Sequence, residues 1–124
     1  MQLYIKETRF EPLVIFNDGV ITIQGRSIPV DSNKLFQPLI SSFFHYSKKP
    51  NPYTEINIQL EYINSSSNRS LMNLLIIAEN MHKKGYNIIV NWYHEPEDEL
   101  MMDHGNIFKS LLQIPFHIHK INGR

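Results

Sequence analysis

Asn64, Ser65, Ser66 and Ser67 run consecutively, and Arg69 follows Ser65 by about one helical turn. The tract stands between a segment of alternating polarity and one of helical spacing. There a short side-chain oxygen can cap a helix by accepting a hydrogen bond from a backbone N–H of the first turn. One cap is enough, and Asn64 or any one of the three serines would serve, so the tract carries more hydroxyl than capping needs. The other chemistry open to it is phosphoryl acceptance. A hydroxyl at a strand-to-helix junction lies at the sheet edge, and the helix N-terminus beyond it supplies free N–H groups and partial positive charge. Arg69 is placed to pair with a phosphoryl oxygen. The local sequence alone favours capping.

Six histidines raise the question of a metal. His117 and His119 lie two apart on an expected strand and so face the same side, while His94 and His104 bracket an expected helix. No motif supplies a third ligand, so solvated or hydrogen-bonded histidines are the reading. The acidic run Glu95-Pro96-Glu97-Asp98-Glu99 offers carboxylates in one wet environment, whereas acid–base pairs need environments that push their pKa values apart. It reads as the solvated start of a helix. No Gly-rich phosphate loop, nucleophile elbow or zinc-protease helix occurs. Ser, His and Asp are present without the ordering that would define a triad. The expectation is a non-enzymatic protein with no catalytic residue, metal or cofactor; a small metal-dependent enzyme is the alternative of another class.

The chain has 124 residues, the size of one domain. Its 42% apolar content suits an ordered core. Twelve basic and twelve acidic side chains cancel, which removes the electrostatic basis for general binding to nucleic acid or an anionic membrane. The absence of cysteine excludes disulfides, thiol nucleophiles and thiolate metal sites. MQLYIKETRF lacks the apolar core of a signal peptide, and no apolar run reaches spanning length, so a cytoplasmic location is expected.

The elements that must position the tract follow from pattern. Leu13 to Phe16 and Val20 to Ile23 flank Asn17-Asp18-Gly19, a hairpin signal. Asp31 and Ser32 offer caps for a helix with Leu35, Phe36, Leu39, Ile40, Phe43 and Phe44 on its buried face, which Pro38 either kinks or delays. From Glu55 the chain alternates as a half-exposed strand up to the tract. Leu71, Leu74, Leu75, Ala78 and Met81 then share a helical face that ends at Lys83-Lys84-Gly85. Tyr86 to Trp92 reads as an inner strand. A third helix begins near Pro96, is weakened at Gly105 and closes at Leu111 and Leu112, and a last strand spans Phe116 to Ile121. The expected order is β-β-α-β-α-β-α-β, an α/β fold in one domain covering residues 1–124. Exposed edge strands are compatible with a monomer or a weak dimer.

Four pieces of this chain together carry a resemblance. They are Gly19-Val20 before a strand, Gly25-Arg26-Ser27 before the first helix, Tyr62-Ile63-Asn64-Ser65-Ser66-Ser67 at the junction, and Val90-Asn91-Trp92-Tyr93. Over nearly its whole length the chain resembles the SiaC-type regulatory phosphoproteins, small bacterial domains with a STAS-like fold, similar to anti-sigma-factor antagonists. The resemblance implies a mixed sheet with an N-terminal hairpin. It implies phosphorylation of the first hydroxyl after the Asn, which is Ser65, with Ser66 and Ser67 as alternatives and Asn64 and Arg69 as phosphate or partner contacts. It implies a dedicated kinase, a PP2C-type phosphatase, and an unmodified form that binds and activates a diguanylate cyclase. The best-known system uses threonine where this chain has Ser65, and Arg69 replaces a lysine. An anti-sigma-factor antagonist is the alternative reading within the same fold.

Overall fold

In the computed structural model, which describes residues 2–28 and 31–121, the hairpin signal closes as a two-residue loop. Strands β2 (Leu13–Asn17) and β3 (Val20–Ser27) pair antiparallel, with Asn17 opposite Val20. Asp18 and Gly19 take φ values of 51° and 81°, the left-handed pair that matches the twist of a tight hairpin. Upstream lies a strand absent from the expected order, β1 (Gln2–Ile5), antiparallel to β2. Its signal is only four residues long and borders a charged segment. Ladder pairing with β2 and the half-buried Leu3 and Ile5 hold it at the sheet edge.

Beyond β3 the chain alternates helix and strand: α1 (Ser32–Tyr46), β4 (Tyr53–Ile63), α2 (Ser65–Lys83), β5 (Asn87–His94), α3 (Glu99–Leu111) and β6 (Phe116–Lys120). The six strands lie in sequence order, with β3 to β6 mutually parallel. Crossovers of one hand that always step in one direction place every helix on the same face. Burial follows that layering: Thr54, Ile56, Ile58 and Leu60 of β4 are buried beneath the helices, while Glu55, Asn57 and Gln59 point the other way. Ile21, Ile23, Ile56, Ile58, Val90 and Trp92 are fully buried, each such side chain contributing about 1.5–3 kcal/mol. Among the described residues no helix is long and apolar enough to cross a membrane.

Two helix features depart from sequence expectation. Pro38 sits in the seventh position of α1 and the helix runs through it. The lost bond and ring clash cost about 3 kcal/mol, and burial of Leu35, Phe36, Leu39 and Phe43 on the same helix outweighs that. The third helix starts at Glu99 and not near Pro96, because the Asp98 side chain accepts a hydrogen bond from Met101 N at 3.0 Å and caps it there.

Gly105 has a packing reason. A Cβ at that position would lie 2.5 Å from Cδ1 of Trp92. The missing side chain lets the indole press against α3 and donate from Nε1 to Met101 O at 2.9 Å. Trp92 also packs with Phe108 and Phe116, at ring-centroid distances of 5.4 and 6.3 Å.

Candidate functional site

The parallel strands β3, β4 and β5 all point their C-terminal ends at one edge of the sheet, where the chain turns into α1, α2 and α3. The serine tract lies on that edge. Just before it the β3–β4 register shifts between Gly25 and Arg26, so that Arg26 faces Tyr62 and Ser27 faces Ile63. Gly25 adopts φ 119° there, and a Cβ on it would collide with the Glu7 carboxylate. This shift sets the end of β3 against the end of β4 in the phase that the junction needs.

Asn64 is the cap. Its backbone is extended, its N–H donates to Ser27 O at 3.0 Å, and its Oδ1 accepts from Ser67 N at 2.9 Å. The Ser66 hydroxyl donates to the same Oδ1 at 3.3 Å. With the first turn capped by an asparagine, the three serines differ in their surroundings. Ser67 is fully buried and its Oγ accepts from the Ser27 hydroxyl at 2.8 Å, a bond between positions 40 residues apart. Ser66 is half-buried. Ser65 is the first residue of α2 and is exposed.

Asn68, one residue further, ties the turn to α3. Its Oδ1 lies 2.7 Å from His104 Nε2, which places the donated proton on that nitrogen. Burial holds the His104 pKa below the usual imidazole range. Arg69 is exposed and, among the described residues, enters no ion pair. It shares with Ser66 a polar groove of about 380 Å³ between the first turns of α1 and α2, to which Asp31, Ser32 and Ser70 also contribute. Ser65 lies outside that lining. On its other side the junction borders a cleft of about 870 Å³ with Arg26, Glu61, Tyr62, Glu95, Glu97 and Asp98 in its walls. The acidic run therefore faces the same edge as the tract, with Arg26 3.8 Å from Glu61 as an exposed ion pair.

The histidines are dispersed. His94 is buried and its Nδ1 donates to Glu95 O at 2.7 Å. His117 and His119 do share a face, the helix-free one, with rings 6.3 Å apart. There a polar ladder crosses three strands: Asn57 Nδ2 donates to Glu55 at 2.7 Å, Asn91 Nδ2 to Asn57 Oδ1 at 3.0 Å, and His119 Nε2 to Asn91 Oδ1 at 2.9 Å. Among the described residues no three His, Asp or Glu side chains converge to hold a metal ion.

Ser27 and His104 have roles at the site that pattern reading did not assign them, and His104 lies within α3 instead of at its end. Ser27 carries a signal all the same, because it continues the inward phase of Ile21, Ile23 and Gly25, and a polar side chain in a core phase requires a partner. His104 carries none, since its partner Asn68 lies on another helix.

The fold and the site define a small domain of the one-sided α/β type with a hydroxyl-rich strand-to-helix junction. Residues 5–121 match the family model described as SiaC family regulatory phosphoprotein, and the chain belongs to that family. It is similar to SiaC of Pseudomonas aeruginosa, with a TM-score of 0.91 and 24% identity, covering 98% of this chain and 99% of that one. It is similar also to a chain in the solved complex of the diguanylate cyclase SiaD with its activator SiaC from the same organism, with a TM-score of 0.89 and 24% identity, covering 96% of this chain and 99% of that one. An uncharacterised protein of P. aeruginosa strain UCBPP-PA14 is 25% identical over 118 residues, 94% of each chain.

Proposed function

We propose that this protein is a partner switch in which Ser65 accepts phosphate from a protein kinase and loses it to a PP2C-type phosphatase, and whose unmodified form binds and activates a diguanylate cyclase. The observation that carries the reading is the division of labour in the tract. Asn64 caps α2 and Ser67 is committed to Ser27, which leaves Ser65 as the exposed hydroxyl at the helix start. The similarity to a SiaC solved as the activator of SiaD supports the choice of partner.

A phosphoryl group adds about −1.5 to −2 charges at pH 7. Attraction to its own helix terminus contributes about 0.3–1 kcal/mol, too little to remodel the domain. Enclosed in an interface built for a neutral serine, the same charge costs several kcal/mol of desolvation, and each ~1.4 kcal/mol is tenfold in affinity. The switch is therefore read by the partner, with the shape of this domain nearly unchanged.

The test is peptide-mapping mass spectrometry of the protein after incubation with ATP and a lysate of its own host, beside a Ser65→Ala variant. Phosphate on the tract that disappears in the variant is the expected result. Phosphate that persists on Ser66 or Ser67, or none beside an active control, refutes the assignment.

A further inference from the structure

The groove between the first turns of α1 and α2 holds a buried hydroxyl with no partner. Ser32 is 3% exposed, lines the groove, and its Oγ makes no hydrogen bond. Native proteins satisfy nearly every such atom, and an exception requires an explanation such as a ligand or water that belongs beside it. Two further features identify the kind of group that would satisfy it. The groove lies at the N-terminal ends of helices of 15 and 19 residues, so two partial positive charges converge on it. The caps Asp31 and Asn64 accept from the third amide of their helices, Lys34 N and Ser67 N, and the first two amides of each helix have no intrahelical acceptor. Arg69, which enters no ion pair among the described residues, lines the same groove.

We propose that this groove is a binding site for a small oxyanion of the phosphate class. Arg69 supplies the full positive charge, the Ser32 hydroxyl supplies a neutral donor, and the first-turn amides of Ser32, Asn33 and Ser66, which line the groove, complete the cradle. The one carboxylate in the lining, Asp31, is committed to capping, with Oδ1 3.1 Å from Lys34 N. A volume of about 380 Å³ lies near the lower end for small-molecule sites and suits an ion with a few waters better than a cofactor. The ion has two sources, free phosphate or a phosphoryl group carried on Ser66. The proposal stands apart from the Ser65 assignment, because Ser65 does not line the groove.

The experiment is a titration of the unmodified, isotope-labelled full chain with inorganic phosphate, followed by amide chemical shifts. A second arm uses protein with a phosphoryl group installed on Ser66. The expected result is saturable shifts at Ser32, Asn33 and Ser66, with affinity about tenfold weaker in Arg69→Ala, as expected for one lost charge-assisted contact. Ser32→Ala should weaken binding while keeping or raising the melting temperature in phosphate-free buffer, because it removes a hydroxyl that has no partner. Saturable shifts in the first arm identify the free ion. If shifts appear only in the second arm and the 31P resonance there depends on Arg69, the source is the group on Ser66. Absence of saturable, Arg69-dependent shifts in both arms overturns the proposal. So does a Ser32→Ala variant that loses stability and leaves binding unchanged, since the hydroxyl would then be structural.

Discussion

Placing a carboxylate at Ser65 and at Ser67, two positions in one helical turn, should move stability in opposite directions. At Ser65 the side chain is exposed and starts α2, so Ser65→Asp adds a negative charge to the positive end of the helix and should stabilise by about 0.3–1 kcal/mol. For a domain of this size that is a rise of about 1–5 °C in melting temperature. At Ser67 the side chain has no exposed surface and accepts from Ser27 Oγ. Ser67→Asp buries a charge without a cationic partner and disturbs that bond, a loss of about 3–5 kcal/mol, out of the roughly 5–15 kcal/mol that holds a domain folded. The buried carboxyl can relieve the cost by taking up a proton, so the deficit should shrink as pH falls from the raised pKa of the buried group toward the ordinary carboxylate value of about 4. Trp92 is the sole tryptophan and is fully buried, and its fluorescence in a urea titration reads both variants against wild type. Equal stability of the two variants, within about 0.5 kcal/mol, would refute the difference in burial on which the choice of Ser65 over Ser67 rests.

Gly105→Ala gains about 1 kcal/mol of helix propensity and loses more, because the new methyl meets the Trp92 indole at 2.5 Å and overpacking costs about 1–3 kcal/mol; urea titration should show a net loss with altered tryptophan emission, and a more stable variant would mean that the indole can move aside. His104 is held below the usual imidazole pKa by burial, so above about pH 6.5 it is neutral folded or unfolded and has no effect. As pH falls through the interval between the unfolded and folded values, the unfolded chain takes up the proton first and stability drops, levelling off below the folded value. Melting temperatures against pH should therefore fall less steeply across that interval in His104→Gln than in wild type, and parallel curves would refute the assignment.

Most of the fold was legible because the signals were local. Asp18-Gly19 defines its hairpin turn, the alternation from Glu55 defines β4, and Lys83-Lys84-Gly85 ends α2 as read. The strand β1 was missed because four residues carry little periodicity and the pairing that stabilises it lies in β2. Pro38 left the start of α1 ambiguous because its local cost is visible in sequence, while the burial that outweighs it is tertiary. At the junction the residue types were legible and their roles were not. Any of four side chains was able to cap, and only the distances separate Asn64, which does, from Ser67, which is spent on Ser27. The groove was invisible to pattern reading, since α1 and α2 meet there only in three dimensions.

The hydroxyl pair Ser27 and Ser67 has a consequence for the order in which the site comes into being. Its two members are separated by the whole of α1 and β4, so they meet only after a parallel crossover has closed, the kind of pairing that folding reaches late. Before that closure the tract is a run of interchangeable serines on a flexible chain, with no reason for any one to differ from its neighbours. Afterwards one is sealed in and another is displayed. A peptide cut from residues 60–75 would carry every residue of the tract without this distinction, so an enzyme that discriminates among the serines is reading the finished domain and not the string of letters.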